Sequence, residues 1–338
     1  MPFPLSVLFL RSVAALSNLD RRHGSWPADH DRPVHFRPAQ QRELEAAVRL
    51  IVCQSGEAQE GQFREFVRLA QAHSRDAGGT WVAEQEGRLI SAVMPIASPG
   101  RTMLLFLPME VRDSFHEGVL QELLEHVCAE AAREGIHLVQ VLLDGARAPL
   151  GPILERSAFA RLAELLYLQT TVTRDLRPVN LPRGWSWQSY SPANHAQFGQ
   201  TILASYQRSL DCPKLNGLRD IEDILAGHRA TGEFDPRLWF LLCEHEQNMG
   251  VLLLSAVRQA DMIELVYLGV PPEHRGRGVG DLLVRHALAT ISTSRFSRLS
   301  LAVDAGNLPA LKVYWRHGLQ AVGRKVAMMR DLRQAVAP

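Results

Sequence analysis

Cysteine is scarce in this chain, and the four that occur, Cys53, Cys128, Cys212 and Cys243, lie far apart with no paired spacing. That pattern argues against a zinc ribbon or a disulfide framework and points to a reducing cytoplasm as the setting. Net charge is nearly absent too: 37 Lys and Arg against 36 Asp and Glu leave a formal charge of +1. No global field draws such a chain to nucleic acid or to an anionic membrane, so neither is an expected partner. Long apolar runs are also missing. The stretch "FPLSVLFL" contains Pro4, has no basic segment before it and is followed by Arg11; it falls short of the roughly 20 residues that a spanning helix needs. Residues 1–32 read as a loose extension, or as a start codon placed too early.

The remainder has the composition of a folded protein. Its 338 residues, 46% apolar and 22% charged, are enough for two domains with real cores. The chain also matches itself. A shift of 160 positions lays "VLLD" at 141–144 on "LAVD" at 301–304, His126 on His286, Gly118 on Gly278 and Phe159 on Leu319. A constant shift that keeps strand, helix and strand in step marks a duplicated fold. The expected copies are 33–177 and 183–338, joined at "RDLRPVNLPRG", where Pro178 and Pro182 punctuate the chain.

In the second copy "LWFLLCEH" and "MGVLLLSAV" read as a hairpin and "MIELVYLGV" as a third strand stopped by Pro271 and Pro272. Beyond "PPEHRGRGVG", Val279, Leu282, Leu283, Ala287 and Ile291 recur at helical spacing, and "RLSLAVD" returns to a strand pattern. Three glycines therefore sit on a strand-to-helix turn. Such a turn lets backbone N–H groups converge on an anion while the helix dipole favours it, and the site suits a pyrophosphate. No Gly-Lys-Ser/Thr follows, so this is not a Walker loop. The G-x-G-x-G spacing, without an acidic residue closing a βαβ unit, is a poor dinucleotide fingerprint, which leaves a nucleotide-binding oxidoreductase a weak reading. The bland alternative for the glycines alone is a flexible basic turn.

A second constellation follows the next strand: Asn307, Ala310, Tyr314 and Gly318, with Leu319 behind. Together with Arg275-x-x-Gly278-x-Gly280 it resembles the acyl-CoA signature of the GNAT acetyltransferase superfamily, with Leu319 in place of the usual Phe. The tandem arrangement also resembles that of mycothiol synthases, although no residue here carries their thiol-sugar specificity. The resemblance implies an α/β fold with a mixed sheet, in two tandem GNAT-like domains, and acetyl-CoA as acyl donor with no metal. It implies that the pantetheine arm pairs with Leu268, Gly269 and Val270. The pyrophosphate would meet the turn from Arg275 through Gly276, Arg277, Gly278, Val279 and Gly280 to Asp281, and Asn307 and Tyr314 on the later helix would also belong to the coenzyme site. Tyr314 would protonate the departing thiolate, since a phenol of ordinary pKa near ~10 keeps its proton at neutral pH until the sulfur needs it.

The base that deprotonates an amine acceptor is less plainly written. Glu264, on the strand leading to Leu268, is the first choice, against a plain salt-bridge role. Asp211, Cys212 and His228 fall in the stretch that shapes the acceptor site in this fold; Cys212 reads as a buried, inert thiol and His228 as a helix surface or cap residue. In the first copy Phe115 replaces Arg275, Leu120 replaces Gly280, Arg147 replaces Asn307 and Leu154 replaces Tyr314. That copy is expected to be degenerate. The chain is thus expected to be an N-acetyltransferase that moves acetyl from acetyl-CoA directly to a small-molecule or peptide amine, with a catalytically idle acyl-CoA binding or sensing module as the alternative.

Overall fold

The computed structural model describes residues 32–52, 57–74, 79–174, 176 and 179–333. Most of the leader and Cys53 lie outside these residues. No helix among the described residues is long and apolar enough to cross a membrane.

Two compact units emerge, and each repeats one order of elements. In the first half these are β1 (His35–Pro38), α1 (Leu44–Ile51), α2 (Glu57–Ala72), β2 (Trp81–Gln85), β3 (Arg88–Ser98), β4 (Thr102–Phe106), α3 (Ser114–Arg133), β5 (Leu138–Leu143), α4 (Gly151–Arg156) and β6 (Ala160–Thr171). The second half runs through β7 (Trp185–Ser189), α5 (His195–Tyr206), α6 (Ile221–Arg229), β8 (Trp239–Glu244), β9 (Gln247–Val257), β10 (Met262–Gly269), α7 (Val279–Ser292), β11 (Arg298–Asp304), α8 (Leu308–Arg316) and β12 (Gln320–Asp331). The equivalence extends to single rings. His126 stacks on Phe36 and Trp81, and His286 on Trp187 with its edge to Phe240. Burial brings the pKa of His286 down to about 4, so this ring packs as a neutral aromatic.

The units do not divide at the proline-marked joint. One comprises residues 163–324 and the other residues up to 162 together with 325 onward, so each half of the chain gives its last strand to the other unit. In the unit of 163–324 the strand order is β6-β11-β10-β9-β8-β7, and in the other it is β1-β2-β3-β4-β5-β12. Leu165–Thr171 run antiparallel to Arg298–Asp304. By the same rule Val326–Asp331 run antiparallel to Leu138–Leu143. The exchange is symmetric: Val172 N–H donates to Ser297 O and Leu332 N–H to His137 O, each at 2.8 Å. It also reaches the cores. Leu168 is buried among Leu283, Val284, Leu299, Leu301 and Tyr314, whereas Met328 and Leu332 are buried among Leu120, Leu123, Val139 and Leu154. Each side chain of this kind contributes about 1.5–3 kcal/mol by leaving water, so neither unit has a complete core without the strand lent to it.

Candidate active site

In the unit of 163–324 two parallel strands part. The β10–β11 ladder pairs Met262 with Arg298, Ile263 with Leu299 and Glu264 with Ser300, and ends there. Beyond that point β10 stays paired to β9 as far as Gly269 with Val251, and β11 to β6 as far as Asp304 with Leu165. The register slips between Leu265 and Tyr267, and the bulge turns the strand where it leaves its neighbour. A cavity of about 500 Å³ occupies the fork, walled by Leu265–Val270, by Ala302 and Val303, by the start of α7 and by one face of α8.

The glycine turn closes one end of this cavity. Gly276 and Gly278 have φ of 76° and 78°, a region in which a Cβ is strained, and Gly278 is the N-cap of α7 with no side chain on the helix end. The first N–H groups of α7, on Val279, Gly280 and Asp281, have no carbonyl within the helix to bond. A Cβ placed on Gly276, Gly278 or Gly280 would meet no packed neighbour within 4 Å, so the protein does not press on the turn at these three points. The arrangement is an open, electropositive cradle.

The basic side chains of the turn do other work. Arg275 donates to the carbonyl oxygens of Ser205 (2.8 Å), Gln207 (2.9 Å), Arg208 (3.0 Å) and Val270 (3.0 Å), bracing the turn against the end of α5. Arg277 points to Glu244 at 3.0 Å and lies over Trp185, and it does not line the cavity. The Glu244 carboxyl is held below its ordinary pKa by that guanidinium. Asp281 accepts from His317 (2.9 Å) and Arg316 (3.2 Å) and pins α7 to α8. Asn307 caps α8 through Ala310 N–H at 3.4 Å. Arg275, Asp281 and Asn307 thus line the cavity while also bonded within the protein, whereas Arg277 is directed away from it.

Tyr314 reaches the cavity from α8 and is buried; burial, then the charge of Asp211, pushes its phenol well above the ordinary tyrosine range. It therefore holds its proton throughout the neutral range. Glu264 is only 6% exposed, and it is absent from the cavity wall. Burial raises the phenol of Tyr167 on β6, and the charge of Glu264 adds to that shift. Cys212 is fully buried, which pushes its thiol up. His228 is not a surface or cap residue: it is 1% exposed in α6, 5.3 Å from the Tyr267 ring, and burial holds it neutral.

The first unit lacks the cradle for a reason that residue substitution alone did not reveal. There α3 begins at Ser114, equivalent to His274, so the residues that form the glycine turn in the second copy are helical in the first. Asp113 caps this helix, accepting from His116 N–H at 3.0 Å, so the helix end already holds a carboxylate. Leu120 and Leu154 are buried in the core, and Arg147 is bonded to Asp144 and to Ile51 O at 2.7 Å. An Asp ahead of an unbroken helical pattern was the signal available in the sequence. Accordingly Phe115→Arg is expected to add no second coenzyme site, and titration calorimetry with acetyl-CoA should give one site per chain for both proteins; a stoichiometry of two in the variant would refute this.

Residues 205–319 match the family model described as "Acetyltransferase (GNAT) family". They form a GNAT acetyltransferase domain. Among relatives, a mycothiol acetyltransferase of Acidothermus cellulolyticus is 26% identical over 271 residues, 74% of this chain and 78% of its own. A mycothiol acetyltransferase of Streptomyces bingchenggensis is 31% identical over 192 residues, and the match spans 54% of each chain. The fold is that of tandem GNAT proteins. A GCN5-related N-acetyltransferase from Sphaerobacter thermophilus superposes with a TM-score of 0.58 at 18% identity, over 91% of this chain and 97% of the other. A tandem GNAT protein from the clavulanic acid biosynthesis pathway gives 0.50 at 14% identity, over 89% and 99%. GNAT enzymes use acetyl-CoA as donor, and the open cradle, the forked strands and Tyr314 lie within the matched stretch.

Proposed function

We propose that this chain is a cytoplasmic N-acetyltransferase that moves acetyl from acetyl-CoA directly to the amino group of a small molecule or peptide, within one ternary complex. The observation that carries this reading is the cavity in the β10–β11 fork, which joins an unfilled helix N-terminus at one end to the buried Tyr314. The N–H groups of Val279, Gly280 and Asp281 would hold the pyrophosphate, and the strand edge at Leu268–Val270 would pair with the pantetheine amides. A backbone N–H near Leu268 would face the thioester oxygen, a contact worth about 3 kcal/mol in comparable oxyanion sites. Tyr314 would give its proton to the leaving sulfur.

The rival, an idle acyl-CoA binder, has no need of a protonated phenol in the fork. The test is thiol release from acetyl-CoA against a panel of amines and peptides, including the acceptor of mycothiol acetyltransferases. With an accepted amine, Tyr314→Phe should lower kcat by about 10²-fold or more and leave acetyl-CoA affinity near that of the parent. Thiol release at the full rate by the Phe variant would remove Tyr314 from the reaction, and a chain that binds acetyl-CoA yet acetylates nothing in the panel would favour the idle binder.

A further inference from the structure

We propose that Asp211, not Glu264, is the carboxylate that receives the acceptor's ammonium group and takes its proton. The inference rests on the transferase reading above. Asp211 follows α5 on a loop that walls the cavity, and it lines the cavity directly, which Glu264 does not. Its position is fixed by a reciprocal clamp. Asp304 N–H donates to Asp211 Oδ1 at 3.1 Å, and Cys212 N–H donates to Asp304 Oδ2 at 3.1 Å, so the loop is tied to the end of the strand that forms the far side of the fork. Asp211 N–H donates in turn to Ser209 Oγ at 3.1 Å. Cys212 follows in a left-handed conformation with φ of 46°, which turns the chain sharply at this point.

Around the carboxylate stand three tyrosines from three elements: Tyr206 at the end of α5, Tyr267 on β10 and Tyr314 on α8, all lining the same cavity. Burial raises all three phenols, and the charge of Asp211 adds to this, next after burial at Tyr314, behind Arg219 at Tyr206, and behind Tyr206 and Ser205 at Tyr267. One carboxylate is thus electrostatically close to the phenol assigned to the thiolate and to the bulged strand that would face the thioester. Asp304 holds the carboxylate through the clamp but is not on the cavity wall; the other wall carboxylate, Asp281, is engaged by His317 and Arg316, so Asp211 is the carboxylate placed to meet a cation in the cavity. The acceptor class that fits is a primary amine arriving as an ammonium ion.

The step then balances. An N–H proton of the ammonium passes to Asp211, and the freed lone pair attacks the acetyl carbonyl carbon. The C–N bond forms and the carbonyl pair moves onto oxygen. When the carbonyl reforms, the C–S bond breaks and the sulfur takes the Tyr314 proton. The remaining surplus proton on nitrogen returns to the phenolate through solvent, and Asp211 releases its own proton to bulk water.

Asp211→Asn retains an Oδ1 acceptor for Asp304 N–H, so it removes charge and basicity while keeping the clamp. The full-length chain, Asp211→Asn and Glu264→Gln would be compared at one pH for thiol release from acetyl-CoA with water alone and with n-butylamine, together with acetyl-CoA affinity by calorimetry and Tm. The expected result is a loss of about 10²-fold in both reactions for Asp211→Asn, with affinity and Tm near those of the parent, and a change of less than about tenfold for Glu264→Gln. Parent-like rates in Asp211→Asn, or a larger loss in Glu264→Gln, would overturn the assignment to Asp211 and leave the transferase reading standing. A collapse of Tm or of acetyl-CoA affinity in Asp211→Asn would make the residue structural and would equally overturn it. A parent chain that binds acetyl-CoA and releases thiol with neither water nor n-butylamine, nor with any amine of the panel, would overturn both.

Discussion

Gly280→Leu is expected to weaken acetyl-CoA binding by at least about 10²-fold, some 3 kcal/mol, without unfolding the protein. Gly280 lies in the first turn of α7 with no positive φ, and a Cβ there meets no packed neighbour within 4 Å. The new side chain therefore enters the space above the free N–H groups, where a phosphate would sit, and excludes it sterically. Leucine also adds helix propensity over glycine, so Tm should hold or rise. The substitution is the one the first copy already carries, as Leu120. Gly278 is the poorer choice because its φ of 78° would add backbone strain of its own. Calorimetry with acetyl-CoA and a thermal melt decide the matter: unchanged affinity in a folded Gly280→Leu protein would mean that the turn does not hold the coenzyme.

Cutting the chain at the proline-marked joint is expected to do still more damage. A fragment of residues 180–338 should aggregate or bind acetyl-CoA more than about 10²-fold more weakly than the full chain. A fragment that starts at Ala160 should bind within about tenfold of it. The difference lies in β6. Leu165–Thr171 satisfy the outer edge of β11, and Leu168 and Val172 are buried in the core beneath the cavity. Without them the strand that forms one arm of the fork becomes an exposed apolar edge, the kind of surface that pairs with other chains. Size-exclusion chromatography and calorimetry on both fragments test this. Equal behaviour of the two would show that the lent strand is dispensable to the site.

Much of this protein is legible in the residues. The shift of 160 positions recurs in the structure as a one-to-one order of elements, because strand and helix periodicities are local properties that survive duplication. The glycine turn was readable because only glycine accepts φ near 78° at Gly276 and Gly278. Tyr314 could be placed on the later helix because its spacing from Asn307 is helical. The degeneracy of the first copy was likewise visible in Phe115, Leu120, Arg147 and Leu154.

Tertiary structure alone decided three matters. The first is which unit each final strand completes. β6 and β12 carry equivalent patterns at equivalent registers, so either could satisfy either edge, and pairing between distant strands leaves no local trace. The second is the use of the turn's arginines. The motif names Arg275, but only the folded chain brings the carbonyls of Ser205, Gln207 and Arg208 within reach of its guanidinium. The third is which carboxylate meets the cavity. Glu264 and Asp211 are both plausible bases in sequence, and the choice falls to the bulged strand and to a loop pinned 93 residues away in sequence at Asp304. A side chain's chemistry is written in the sequence, whereas the groups it faces depend on non-local packing.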